Sequence, residues 1–195
     1  MLLSFFLFAA GVGRSFEAQE VIDGLTVEAR RVAGSDFEEL RVEAKSELAA
    51  DQLCSAVWGD GNMKSKEPGF KLRRVLRQTN DERWTYEQIS VPVVSDRDYT
   101  MHAKRLRDPT TGLCQVFFET QNDKGPPPQA GFVRIPRIHG SWTIEPLETG
   151  GALVTYVLFS DPGGGIPAWL SRGGQRKSAV SWMKQILRRA SDNVR

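Results

Sequence analysis

The sequence predicts an α+β fold in which a curved antiparallel sheet of seven to nine strands wraps one long C-terminal helix. Three observations carry that expectation. Between residues 25 and 160 the chain runs through short segments of apolar alternation separated by turn residues, the pattern of successive strands. These follow one another too closely for crossover helices, so neighbours pair antiparallel. Only after residue 160 does a long stretch take up helical spacing. The 195 residues suit one domain, and 40% hydrophobic with 26% charged residues excludes a disordered tail and a polytopic membrane protein. Such a domain buries roughly 70% of its unfolded surface, enough for a core and an internal cavity without metal or disulfide support.

Each element has a local reason. The first 13 residues carry no charge and include Leu2, Leu3, Phe5, Phe6, Leu7, Phe8 and Val12. That length suits the apolar core of a signal peptide and falls short of a bilayer about 30 Å thick. The expectation is an exported protein, periplasmic or secreted; the alternative is an uncleaved anchor on residues 2–13. Residues 25–32 and 37–48 alternate around Gly34-Ser35-Asp36 and read as a hairpin. Residues 49–58 change to helical spacing, with Leu53, Ala56 and Val57 near one face, until Gly59, Asp60, Gly61 and Asn62 stop it. A loop, 62–70, leads to strand-like runs at 71–78, 83–91, 98–106, 112–120, 132–137, 140–146 and 153–160. The connection 121–131, stiffened by Pro126, Pro127 and Pro128, is the longest late loop.

In the final helix, 166–190, Ala168, Ala179, Met183, Ile186 and Ala190 cluster on one side, flanked by Trp182 and Leu187, while Lys177, Lys184 and Arg188 point away. Gly173 and Gly174 fall inside it at about 0.8–1 kcal/mol each relative to alanine, so the helix either begins after them or has a mobile first turn.

Twenty-six basic residues against 24 acidic leave +2, too even for a dedicated nucleic-acid binder. The evenness conceals an asymmetry: residues 172–195 carry +6 and the rest of the chain −4. Cys54 and Cys114 read as two separate small core residues, with pairing in an oxidising compartment as the alternative. His102 and His139 lie in no metal-ligand spacing, and no Gly-x-Ser-x-Gly elbow occurs. Gly163-Gly164-Gly165 lacks the Lys-Ser/Thr flank of a phosphate cradle and reads as a tight strand-to-helix turn. No metal or cofactor is expected.

Four stretches stand in an order and spacing that resembles the START (StAR-related lipid-transfer) family, especially its short exported bacterial members. They are Val93-Val94-Ser95-Asp96-Arg97-Asp98, Gly131-Phe132-Val133-Arg134-Ile135-Pro136, Gly140-Ser141-Trp142-Thr143-Ile144-Glu145-Pro146 and the run from Asp161-Pro162-Gly163 through Ala168-Trp169-Leu170. The resemblance implies a helix-grip fold over about 20–192, with a hydrophobic tunnel that holds one lipid-like molecule. Two departures stand out. The loop after the second helix of the family has a polar stretch around Lys64, Ser65 and Lys66 where a tryptophan is usual, and Ala103 stands where many sterol-binding members carry a basic residue.

Within that fold the cavity lining is assigned to Tyr86, Tyr99, Met101, Ala103, Phe117 and Phe132 on strands and to Trp169, Leu170, Arg172, Trp182, Met183 and Ile186 on the last helix. Arg172 and Gln175 fall near the inward side of that helix. A buried guanidinium needs a partner, so Arg172 pairs with an acid, reaches solvent or meets a ligand head group. Arg97 and Asp98 read as an ion pair fixing strand register, with a polar contact at the cavity mouth as the alternative, and Arg134 as exposed on the outer sheet face, with contact to a ligand head group as the alternative. The functional expectation is a carrier that encloses a lipid or other hydrophobic small molecule and presents it at a membrane, opening at the 121–131 loop or at the start of the last helix. The alternatives are a small-molecule cyclase or hydrolase using a cavity His, Asp or Tyr, with His102 as general base, and an interaction module with a filled core. Lys177, Lys184 and Arg188 either touch anionic lipid or form a solvated face.

Overall fold

The computed structural model describes residues 15, 16, 18–59, 69–90 and 95–192; the apolar leader, the Lys64–Ser65–Lys66 stretch and Val93-Val94 lie outside them. The described chain runs β1 (Ala18–Ile22), β2 (Leu25–Arg31), β3 (Glu38–Ser46), α1 (Ala50–Trp58), β4 (Phe70–Gln78), β5 (Glu82–Ile89), β6 (Asp96–Arg107), β7 (Cys114–Thr120), a 3-10 turn (Asn122–Lys124), β8 (Phe132–Arg134), β9 (Arg137–Pro146), β10 (Ala152–Asp161) and α2 (Ala168–Asp192). Ten strands form one sheet in the order β1-β2-β3-β10-β9-β7-β6-β5-β4, with β8 beside β6.

The nine expected strands are present, and β1 is an addition. It pairs with β2 across a turn at Asp23 and Gly24, both with positive φ. Its five residues include Gln19 and Glu20, too short and too polar for an alternation signal. Three pairings depart from the expected meander: β3 pairs with β10, β7 pairs with β9, and β8 runs parallel to β6, with Arg97 opposite Val133. β8 occupies the stretch of β6 that β7 leaves unpaired, since the β6–β7 register begins only at Met101.

Strand alternation divides the sheet into two faces. Val27, Leu40, Val42, Val154, Tyr156, Trp142, Ile144 and Val116 point to the concave face and pack with Leu53 and Ala56 of α1 and Ala179, Val180, Met183, Ile186 and Ala190 of α2. α1 starts where the Ala49 N–H donates to the Gln52 side chain and ends at Gly59, whose φ of +54° few side chains tolerate. Cys54 on α1 is joined to Cys114 on β7, which corrects the expectation of two separate thiols. Pairing needs only that the inward face of α1 lie over the first residue of β7, a contact between residues 60 apart that no local pattern reveals. α2 passes through Gly173 and Gly174 without a break. No helix among the described residues is long and apolar enough to cross a membrane.

Candidate functional site

α2 covers part of the concave face. It rests on α1, β1, β2, β3 and β10, and reaches β4 through Trp182, whose ring meets Phe70 edge-on at 5.6 Å. Facing it across the grip is the concave side of β4–β7. Register sets Glu87 opposite Tyr99, Thr85 opposite Met101, and Ala103 opposite Phe118, so all six side chains share one face. Next to them, Phe118 lies opposite Gly140 of β9, and Leu158 of β10 flanks Gly140 on its other side. The glycine is required there, because a Cβ would overlap the Val157 carbonyl and stand 2.6 Å from the Phe118 ring.

The polar centre of this wall is Glu87, 5% exposed. Its carboxylate accepts from Tyr99 Oη at 2.6 Å, Thr85 Oγ1 at 2.9 Å and Arg73 Nε at 2.9 Å. A buried carboxylate is tolerable only with such partners. Burial first, and then the Glu87 charge, push the Tyr99 phenol well above its ordinary range; the same causes, in the same order, raise Tyr156. Tyr156 also stacks on Trp142 with ring centroids 4.0 Å apart. The Arg73 guanidinium lies 4.5 Å over Phe70, which links the polar centre to Trp182 and hence to α2. The result is an aromatic and thioether wall with one neutralised ion pair at its polar centre.

Of the residues assigned to the lining, Tyr99, Met101 and Ala103 are on this wall and Trp182 borders it. Met183 and Ile186 sit deeper, enclosed in the main core. Tyr86, Phe117 and Phe132 have the opposite strand parity and lie on the convex face. Trp169 is 73% and Leu170 53% exposed on the first turn of α2. Arg172 pairs with Glu38 at 3.5 Å on the rim, and Gln175 donates to the Ser160 carbonyl.

Arg97 and Asp98 do not pair with each other, because adjacent strand residues point to opposite faces. Arg97 turns to the concave side and donates to the carbonyls of Ser95 and Pro162. Asp98 turns to the convex side, takes a two-pronged ion pair from Arg134 at 2.8 and 2.9 Å, and accepts from Tyr86 Oη at 2.8 Å. Arg134 is thus bound and half-buried rather than solvent-facing.

The loop 121–131 straps this network. Asn122 bonds the Thr100 N–H and the Ile135 carbonyl, the Pro126 carbonyl accepts from Arg134, and Gly125 packs directly on Thr100. The loop therefore lies on the convex face, away from α2. His102 is on that face too, stacked on Trp84 at 4.2 Å. Of the groups considered for catalysis, His102 and Asp98 lie on the convex face, whereas a tyrosine, Tyr99, lies on the concave wall.

Glu87, Thr85 and Arg73 escaped the sequence reading. In β5 the alternation of Trp84 with Tyr86 marks one face as apolar, yet the inward face is the one carrying Thr85, Glu87 and Ile89. Both faces are covered, one by the grip and one by the loop, so apolar parity alone does not tell inside from outside. Asn122 and Gly125 at the start of the loop were the available signal that the Trp84 side is also covered.

Residues 71–194 match the START domain model. The chain belongs to the START domain family. A solved STAR-related lipid transfer protein from Xanthomonas axonopodis superposes with a TM-score of 0.78 at 28% identity, covering 89% of this chain and 98% of that one. An uncharacterised Pseudomonas aeruginosa protein is 29% identical over 153 residues, 76% of this chain and 73% of its own length. The phosphatidylcholine transfer protein of Mus musculus is 21% identical over 169 residues, 85% of this START chain and 78% of its own length.

Proposed function

We propose that this START domain protein binds one lipid-like molecule between α2 and the concave face of β4–β7 and carries or presents it at a membrane. The observation that carries the reading is the partial cover of the sheet: α2 packs on β1–β3 and β10 and α1 on β7 and β9, while Met101, Ala103 and Phe118 on the concave side of β6 and β7 are only partly buried. Family membership supports it, as do relatives named for lipid and phosphatidylcholine transfer. Exclusion of water from an apolar body supplies most of the affinity, and the Glu87–Tyr99–Arg73 group receives the polar end. The exposed Trp169 and Leu170 suit a bilayer interface, where an amphipathic indole is favoured. Export belongs to the same proposal, since a buried disulfide persists in an oxidising compartment.

The test is uptake of fluorescent phosphatidylcholine by the purified chain, compared with Ala103→Trp, which fills the wall beside Phe118. Saturable uptake that falls at least tenfold in the variant, with an unchanged urea midpoint, is the expected result. Equal uptake by both chains, or none by either, would overturn the reading.

A further inference from the structure

The sheet ends in two edges, β1 and β4. Among the described residues no strand pairs with the outer side of either, so each directs alternate backbone N–H and carbonyl groups outward. Each edge also carries an exposed apolar side chain: Val21 on β1 is 70% exposed and Leu72 on β4 36%. The edges differ in charge. β4 holds Lys71, Arg73, Arg74 and Arg77 and no acid, whereas β1 holds Glu20 and no base.

Pairing assigns each of these side chains to a face of the sheet. Glu20 stands opposite the inward Val27 and is concave, which makes Gln19 and Val21 convex. Arg73 stands opposite Glu87 and is concave, as is Val75, which makes Leu72 and Arg74 convex. The β4 register is regular only over 72–75, between irregularities at Phe70/Leu72 and Val75/Arg77. Such breaks confine edge pairing to the regular stretch, and its four residues are within the five that β1 offers.

We infer that β1 of one copy pairs antiparallel with β4 of a second copy, joining the two sheets edge to edge. With concave face continued by concave face, the favoured register sets Val21 opposite Leu72, Glu20 opposite Arg73, Gln19 opposite Arg74 and Ala18 opposite Val75. Apolar side chains then meet on the convex side and opposite charges on the concave side. Arg73 already holds Glu87 and Glu20 already holds Arg176, so the joint continues a row of alternating charge, Arg176, Glu20, Arg73, Glu87. A slide of two residues along β4 sets Val21 against Arg74 and Glu20 against Val75; the opposite slide runs into the irregularity at Phe70/Leu72. Parallel pairing with Glu20 on Arg73 leaves Val21 on Arg74 and Leu72 on Gln19. Two β4 edges would bring arginine beside arginine, and two β1 edges would bring two Glu20 side chains together, so unlike edges are preferred. Each copy owns one edge of each kind, and the product is a closed pair or a head-to-tail series. The contact needs no ligand and stands apart from the carrier reading.

The test is sedimentation velocity of the purified chain over a concentration series reaching about 1 mM, where a millimolar contact is well populated. A second species should grow with concentration. Val21→Lys and Leu72→Glu, both at exposed positions, should each reduce that species at least tenfold at an unchanged urea midpoint. Mixing the two variants should restore it, because the intact β1 of the Leu72→Glu chain meets the intact β4 of the Val21→Lys chain. The native cysteines are joined to each other, so Val21→Cys mixed with Leu72→Cys should oxidise to a dimer linked from 21 to 72. A monomer at every concentration, a second species that both variants leave unchanged, or a dimer linked only from 21 to 21 or from 72 to 72 would overturn the inference.

Discussion

Glu87 shows how much one residue constrains the concave wall. Three donors converge on its carboxylate, so Glu87→Ala removes the acceptor of all three and should cost about 3 kcal/mol in urea denaturation, as for other broken buried pairs. Tyr99→Phe deletes a single bond to a charged group and should cost about 1.5 kcal/mol; equal losses would mean the carboxylate is not the hub. On the other face, the Trp84 indole donates to Gln121 Oε1, which fixes the Gln121 amide so that its Nε2 donates to His102 Nδ1 at 3.2 Å. The imidazole is thereby held neutral with its proton on Nε2. Burial lowers the His102 pKa from 6.5. The unfolded chain then binds the proton first, so this contribution is complete above about pH 6.5 and is lost as pH falls toward the folded value. Thermal melts between pH 7.5 and 5 should show His102→Asn flattening part of the acid-side decline; identical slopes for both chains would refute it. The dipeptide Arg97-Asp98 was visible in the sequence as a charged pair, but its partners were not. Strand parity sends the two side chains to opposite faces, and those partners stand 36 and 65 residues away.

At the scale of elements, the disulfide couples α1 to β7 where α1 also packs on α2. Closing a loop of 60 residues is worth about 4 kcal/mol on the chain-entropy account, at the upper end of the usual range. Cys54→Ala with Cys114→Ala should therefore lower the urea-derived stability by 2–4 kcal/mol and speed amide exchange in α1 ahead of β9 and β10. Unchanged exchange in α1 would show that packing alone holds the helix. The hairpin of β2 and β3, α1, the late strands and α2 were legible because each satisfies a local rule of period and punctuation. β1 was not, since a five-residue strand carries too few apolar positions to set a phase, and its place depends on the pairing edge that β2 offers. β8 was expected as a strand, but its parallel pairing was not legible for a similar reason: three residues borrow the free edge of β6.

For the whole molecule, the charge asymmetry acquires a location. The basic closing helix is tied to the acids of β1, β3 and the β1–β2 turn: Arg172 and Arg176 to Glu38 and Glu20, and Lys184 to Asp23. The helix-grip architecture was legible from repeated strands and one amphipathic helix, with family motifs supporting it. Most of the assigned lining was not: the loop over the convex face buries Tyr86 as thoroughly as the grip buries Tyr99, Met183 and Ile186 lie in the main core, and Trp169, Leu170 and Arg172 are exposed at the start of α2. The central claim is that the concave space holds a lipid-like molecule, and native mass spectrometry of the protein purified from its own source, followed by organic extraction, tests it most directly. The account predicts a one-to-one complex whose extra mass is recovered in the organic phase. Bare protein at its chain mass, with an empty extract and no binding of fluorescent fatty-acid or sterol probes, would contradict it.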